Sequence, residues 1–476
     1  MGLKKNFTYN SILTLSQYVI AFITFPYVTR VLGVTNYGIV SFIDGIINYY
    51  AIFVLLGISI LGTREVAKAK NSPEELSKVY SSLLTLSIIL AIIVIAIYCI
   101  CITLIPALSK HSTLFYIGIS KLLATAFLIE WFYSGLEQFQ YIAIRSIIIK
   151  VIYVISIFIF IKDTNDYSLY FILTISVVIL NALVNTTHAR IYVKYTIRHI
   201  SHIPQYIKPT FALGGYMILT SMYTTFNIMF LGIVSTPEEV GYYSTALKIY
   251  TIILGLYTAF TTVLMPRASN LLVNGQTEKI EKLVRDSYGI LTIFTIPIAS
   301  VCIIFAPQLI NILSGATYMP ASLPMQIIMP LLLIVGIAQI ISRIVIIPLG
   351  YDNIILKASI IGALIGVSAN ILLVPRYGSI GTAITLALSE TTVTCYYIYK
   401  SSKLVYALPW RNIAKLIMAA LPYPIICAIC SLYIDNKLTA LIVASGLCIT
   451  YFIIINLVIM QNPLLTGLCK ISKKNQ

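Results

Sequence analysis

The chain has 476 residues, 59% of them hydrophobic and only 10% charged, with 32 Lys+Arg against 16 Asp+Glu for a formal charge of +16. The apolar residues fall in stretches of bilayer length with nothing between them long enough for a soluble domain, so a soluble catalytic module is excluded. Only helices and closed barrels satisfy their backbone in lipid, and these stretches are too long for barrel strands, which leaves an all-α polytopic membrane protein.

Fourteen spans are predicted, at about 7–31, 38–62, 79–104, 112–134, 141–161, 168–191, 210–234, 241–264, 287–313, 321–348, 354–374, 379–399, 411–433 and 437–460. Residues Met1 to Asn6 form a basic leader with no small-residue cleavage site behind the first apolar stretch, so that stretch reads as a retained helix. With the N-terminus in the cytoplasm, 23 of the 32 basic residues fall on the inner side and only Arg30, Lys110, Lys162, Arg376 and Lys437 on the outer. The net charge is therefore loop asymmetry, both termini are expected in the cytoplasm, and no nucleic-acid partner is implied.

The first stretch carries Asn10, Thr14, Gln17 and Thr24 on one face and Arg30 near its outer end; the second carries Ser41, Asp44 and Asn48. Ser72-Pro73-Glu74-Glu75 has the N-cap, first-turn proline and capping-box glutamate of a helix running into the third stretch. Lys121 lies at mid-depth in the fourth stretch, with Glu130 toward its inner end, and Lys150 at mid-depth in the fifth. Arg145 is close enough to the interface to be read as snorkelling.

The seventh stretch presents Thr220, Thr224 and Asn227. In the eighth, Ser244, Lys248, Thr251, Gly255, Thr258 and Thr262 form one stripe of small and polar side chains at helical spacing, with Tyr243, Tyr250 and Tyr257 on another face. The polar 265–286 segment, with Ile280, Leu283 and Val284 among charges, is expected to be a short interfacial helix. Arg343 shares a face with Gly336 and Gln339, and Glu390 with Ala383, Ala387 and Thr394. Cys427 and Cys430 have CxxC spacing inside an apolar helix, a structural rather than redox or metal context.

An offset of 203 matches Lys5 to Lys208, Gly38 to Gly241, Ser41 to Ser244 and Arg64 to Arg267. The expected organisation is two pseudo-symmetric six-helix bundles, 1–203 and 204–405, followed by an appended helix pair with a basic tail, 406–476. Parallel repeats of this kind place a substrate site between the halves. Ionisable groups at membrane depth face a polar cavity or a partner by default. The candidates for a substrate path are Lys248, Arg343, Arg30, Asp44, Asn48, Thr251 and Gln339, with Glu390 and Asp44 as candidates for ion coupling. The plainer readings are that Lys248 and Asp44 pair structurally and that small-residue stripes such as Gly362 to Gly366 pack helices. The chain has no phosphate-binding loop, HExxH or GxSxG, so neither an enzyme nor a cofactor or metal site is expected.

Several segments together resemble the O-antigen and capsule-unit flippases (Wzx-type) of the multidrug/oligosaccharidyl-lipid/polysaccharide exporter superfamily. They are Phe25-Pro26-Tyr27-Val28-Thr29-Arg30-Val31-Leu32-Gly33 with Tyr37-Gly38, Glu130-Trp131-Phe132 with Gly135-Leu136-Glu137, Gly241-Tyr242-Tyr243-Ser244 through Lys248, and Pro375-Arg376-Tyr377-Gly378 with Gly381. The resemblance implies two bundles forming a V-shaped cavity with helices 13 and 14 outside it. It also implies a bacterial cytoplasmic (inner) membrane location and a short glycan on undecaprenyl pyrophosphate, moved between leaflets by alternating access. H+ or Na+ as coupling ion and a polysaccharide polymerase as partner belong to the same expectation. A cavity rich in Lys and Arg suits a pyrophosphate. A cation-coupled multidrug exporter of the same superfamily would want an acidic cavity instead, and a membrane glycan polymerase or ligase a large outer loop.

Overall fold

The computed structural model describes residues 3–196, 201–402, 418 and 420–454, apart from the side chains of 3–8, 10, 11, 273 and 277, and every regular element in it is a helix. The side chains of Lys5 and Asn10, the beginning of the thirteenth stretch and the tail with Lys470, Lys473 and Lys474 lie outside the described residues. Among those residues nine helices are long and apolar enough to cross a bilayer, or eleven when each of two bent pairs counts as one span. The chain is an all-α polytopic membrane protein.

Helix α1 runs Leu3–Leu55 without the loop expected between the first two stretches; its one non-helical residue is Gly33, at φ 73° and ψ 170°. The Phe25 and Tyr37 rings lie 6.1 Å apart. A straight helix would separate residues twelve apart by about 18 Å, so the chain reverses at Gly33. Glycine can take that backbone conformation because it has no Cβ. Helices α2 (Ile58–Ala69) and α3 (Pro73–Leu104) follow, and α3 starts as predicted, with Ser72 Oγ accepting the Glu75 N–H at 3.4 Å and Pro73 in the first turn. Next come α4 (Pro106–Ser109), α5 (Ser112–Ala126), α6 (Glu130–Gly135), α7 (Phe139–Phe160) and α8 (Tyr167–Ala189).

The seventh stretch is broken into α9 (Ile203–Ser221) and α10 (Phe226–Val234), bent by 52°. Helix α11 (Pro237–Val273) begins with Thr236 Oγ1 accepting the Glu239 N–H and two glutamates facing the positive end of the helix dipole. Helix α12 (Thr277–Ile304) absorbs the expected interfacial helix. Ile280, Leu283 and Val284 are buried in its first turns, because an amphipathic pattern fits a packed helix as well as one lying on lipid. Helices α13 (Ala306–Ser314) and α14 (Ser322–Ile328) lead to α15 (Leu331–Ile340), which continues into a π-helical turn, Ile341–Ile346. Helix α16 (Asp352–Ser401) turns back at Gly378 (φ 51°), and α17 (Pro422–Tyr433) and α18 (Lys437–Ile454) pair beside α12. Cys427 Sγ faces Cys448 Sγ at 3.7 Å in that pair.

One apolar core is built from both halves of the chain, a second from residues between Leu56 and Tyr206, and a third from residues between Tyr223 and Tyr397. The halves meet most closely where α1 and α11 cross. A Cβ on Gly38 would stand 1.8 Å from the Pro237 carbonyl oxygen and 3.0 Å from the Gly241 nitrogen, and one on Gly241 2.5 Å from the Val34 oxygen. The two glycines matched by the 203-residue offset thus let bare backbones touch. Thr35 Oγ1 donates to Glu238 Oε1 at 2.8 Å beside this crossing, and Tyr318 OH donates to the Thr29 carbonyl at 3.1 Å. Glu239 Oε2 accepts the Ser379 N–H at 2.6 Å, capping the return limb of α16. At the other end α9 touches the first half, with Gly57 against Gly214.

Candidate functional site

The polar stripes of α1 and α11 face each other below the glycine crossing. A cavity of about 450 Å³ opens there, lined by Ser41, Asp44 and Asn48 of α1, Thr174 of α8, Thr224 ahead of α10, Ser244, Lys248 and Thr251 of α11, and Glu390 of α16. A second cavity of about 270 Å³ lies between α1, α7 and α8, lined by Gln17, Thr24, Lys150 and Tyr153. Lys248, Tyr170 and Thr174 line both, so the lysine stands at the junction of two polar spaces.

The charges divide into a compensated set and an uncompensated one. Lys121 Nζ donates to Asp44 Oδ1 at 2.5 Å and to Asn48 Oδ1 at 2.8 Å, and Asn48 Nδ2 donates to Asp44 Oδ2 at 2.9 Å. This three-residue lock joins α5 to α1, and it takes Asp44 away from Lys248 as a structural partner. Lys248, Lys150 and Glu390 have no hydrogen bond or ion pair from their charged atoms among the described residues, although all three line the cavities. Ser244 Oγ, on the same wall, is buried without a hydrogen-bond partner. Two lysines and two carboxylates line the joined spaces; with Asp44 bound to Lys121, the charges left without a partner are the two lysines and Glu390, and hydroxyl and amide groups flank them.

Asp44, Asn48, Lys248, Thr251 and Glu390 therefore come together, whereas three other predicted site residues lie elsewhere. Arg343, in the π-helical turn, donates to Thr262 Oγ1 at 2.6 Å and to the Thr258 carbonyl at 3.3 Å. Gln339 Nε2 donates to Thr258 Oγ1 at 2.9 Å, and Thr261 Oγ1 bonds Gln339 Oε1 at 3.1 Å. The Arg343 cluster occupies the far end of the α11 stripe, about 21 Å from Lys248 by helical rise to Thr262. Between them Gly255 makes room for the Tyr18 ring, to which a Cβ there would come within 2.0 Å. Arg30 is exposed near the Gly33 reversal and donates to the Ile312 carbonyl at the end of α13, so it does not join the Lys248 cavity.

Lys150, which lines the second cavity, and Lys121, which bonds the cavity residues Asp44 and Asn48, carried too little weight in the sequence. Lys121 and Lys150 are visible as mid-span cations, but the helix face each presents depends on partners far along the chain. The polar faces expected for α9 and α10 divide as well, since Thr224 reaches the cavity while Asn227 is fully buried and accepts from Asn370 Nδ2 at 2.8 Å. Arg145 does not snorkel. It is 6% exposed, donates to Glu130 Oε1 at 2.9 Å and to Asn185 Oδ1, and sits beside the Tyr141 ring. The Tyr133 hydroxyl ties the same corner to the Asn185 carbonyl at 2.5 Å. Tyr243, Tyr250 and Tyr257 are packed into the core.

A polar cavity at membrane depth, walled by helices from both halves of a polytopic chain, is the architecture of a membrane transporter. Residues 3–272 match the family described as polysaccharide biosynthesis protein, and the chain belongs to that family. It is 24% identical over 397 residues to the "Putative O-antigen transporter" of Escherichia coli (strain K12), covering 83% of this chain and 95% of that one. It is 24% identical over 214 residues to the "Probable low-salt glycan biosynthesis flippase Agl15" of Haloferax volcanii, covering 44% of each. Its fold is shared with a solved structure described as "Lipid II flippase MurJ, inward closed conformation", with a TM-score of 0.75 at 18% identity over 94% of this chain and 97% of that one. The family agrees with the resemblance seen in the sequence, and the motifs that carried it mark tight places in the fold. Gly33 and Gly378 are the two reversals, Gly38 and Gly241 the crossing, and a Cβ on Gly135 would stand 2.6 Å from the Val66 side chain.

Proposed function

We propose that the chain is a flippase that carries an undecaprenyl-pyrophosphate-linked oligosaccharide unit from the cytoplasmic to the outer leaflet of the bacterial inner membrane for surface polysaccharide synthesis. The observation that carries this reading is Lys248, which lines the cavity with no ion-pair partner among the described residues while the nearby Asp44 is neutralised by Lys121. A lysine left uncompensated at membrane depth needs an anion, and a pyrophosphate supplies one. Lys150 adds a second cation, and Asn48, Thr251 and Ser244 offer hydrogen bonds to sugar hydroxyls. Arg343, with Gln339 and its threonines, is a second station along the same stripe.

The 1–203 and 204–405 lobes rock about their glycine contact, while 406–476 stays outside the path. The basic ends, with both termini, face the cytoplasm. Glu390, the free carboxylate of the cavity, carries the coupling H+ or Na+, and Asp44 enters only if its lysine releases it. The flipped unit passes to a polysaccharide polymerase. A drug exporter is disfavoured because organic cations would meet Lys248 and Lys150.

The test is a vesicle assay with a fluorescent lipid-linked glycan. Lys248→Ala should slow flipping at least about tenfold, Lys248→Arg should keep most of it, and Glu390→Gln should remove the response to an imposed ion gradient. Wild-type flipping by Lys248→Ala rejects the assignment. Tenfold corresponds to about 1.4 kcal/mol, a modest demand for one contact between a cation and a phosphate.

A further inference from the structure

A cavity of about 640 Å³ lies in the flank of the first half, between α3, α5 and α8, and shares no lining residue with the two polar cavities. Its walls are apolar, built from Leu84, Ile88, Ala124, Phe127 and Ile179, and its rim residues Leu123 and Leu183 are 45% and 55% exposed, so it faces the surrounding lipid. Along α8 the wall runs from Ile179 to Arg190. Eleven residues of helix rise about 16 Å, and one leaflet of a 30 Å hydrocarbon core is about 15 Å deep. The groove therefore reaches from the middle of the membrane to one surface.

At that surface the chemistry changes. Arg190, the C-cap of α8, is exposed at the mouth. The Tyr195 hydroxyl is fixed there at 3.0 Å from Thr85 Oγ1. Lys194 is also exposed, and its backbone N–H donates to Ser77 Oγ at 3.4 Å, which holds this segment against α3. Neither Arg190 nor Lys194 has an ion-pair partner among the described residues, where the nearby basic residues Lys70 and Lys78 pair with Glu137 and Glu75. An apolar slot one leaflet deep, with the uncompensated Arg190 at its mouth and the uncompensated Lys194 exposed on the adjoining segment between the lining residues Val193 and Tyr195, matches a lipid with a negative headgroup.

We propose that this groove binds an anionic phospholipid of the bilayer, with one acyl chain between α3, α5 and α8 and its phosphate on Arg190 and Lys194. The depth of one leaflet fits an acyl chain, whereas a long polyprenyl chain has no reason to stop at the membrane centre. The apolar wall excludes free phosphate as the natural occupant. Ser120 lines the groove next to Lys121, so a seated chain braces the helix that holds Asp44. The site does not depend on what the central cavity carries.

The test uses the full-length protein, delipidated and titrated with phosphatidylglycerol, phosphatidylcholine, undecaprenyl phosphate or inorganic phosphate under native mass spectrometry. The expected result is one retained phosphatidylglycerol, bound about tenfold tighter than phosphatidylcholine. Arg190→Glu with Lys194→Glu should erase that preference. Ser120→Phe, which fills the groove and leaves both charges, should lower retention of either phospholipid about tenfold, with helical melting measured on each variant to verify the fold. Equal retention of the two phospholipids overturns the proposal. So does an adduct that survives both folded variants, a preference for undecaprenyl phosphate, or displacement by inorganic phosphate.

Discussion

Lys121→Met tests the charge arrangement more sharply than any change to Lys248 itself. The Lys121 side chain is 12% exposed and makes two short contacts, to Asp44 Oδ1 at 2.5 Å and Asn48 Oδ1 at 2.8 Å. Hydrogen bonds to charged groups contribute about 1.5–3 kcal/mol each, and the 35% exposure of Asp44 argues for the lower part of that range, so the loss in stability should be about 2–4 kcal/mol. The change also frees the Asp44 carboxylate in the cavity that Lys248 lines. The aspartate then competes with the anionic head group for that lysine, and flipping should fall by at least about tenfold, equivalent to about 1.4 kcal/mol. Asp44→Asn combined with Lys121→Met removes both charges. Replacing a whole ion pair is often neutral where breaking it is not. The double variant should regain most of the stability and most of the flipping rate. Thermal unfolding in detergent and initial rates in vesicles, measured on the single and double variants, form the cycle. A coupling below about 0.5 kcal/mol, or a double variant as slow as Lys121→Met alone, refutes the idea that Lys121 shields Lys248 from Asp44.

Gly38→Ala places a methyl 1.8 Å from the Pro237 oxygen, which must move by about 1.6 Å to reach ordinary contact. Overpacking of this kind costs about 1–3 kcal/mol. The variant should melt earlier and lose oxidative cross-linking between Thr35→Cys and Glu238→Cys, whereas Gly215→Ala, with nothing within 4 Å, should do neither. Arg145→Ala leaves Glu130 and Asn185 without their guanidinium, at a cost of about 2–4 kcal/mol given that the Glu130 side chain is 53% exposed. Flipping per folded molecule should stay within about twofold, since this corner lines neither polar cavity; wild-type melting would show the network to be idle.

Stretch length and helical spacing announce the spans, and the Ser72-Pro73 start of α3 and the α11 stripe are readable residue by residue. The 203-residue offset singles out the two glycines that turn out to touch. The reversals at Gly33 and Gly378 escape such reading because a glycine can turn a chain without the polar residues that mark a loop. The cavity set of Asp44, Asn48, Lys248, Thr251 and Glu390 is legible from stripes on separate helices. Which charges neutralise each other is not, since Lys121 and Asp44 are 77 residues apart in sequence. Arg145 and Arg30 mislead for a related reason. Distance along a helix gives depth in the membrane, but the direction of a side chain is decided by neighbours from other helices.

Under the proposed rocking of the two halves, the crossing at Gly38 and Gly241 would act as the pin of a pair of shears. Measured from Gly241, Lys248 lies about 10 Å along α11 and Thr262 about 31 Å, so ten degrees of opening shifts the first by about 2 Å and the second by about 5 Å. The gauge of the passage is thus graded. A rotation of that kind would change the width beside Lys248 about three times less than beside Thr262, so the proposed anchor would keep its dimensions while the far end of the stripe adapts to repeat units of different bulk.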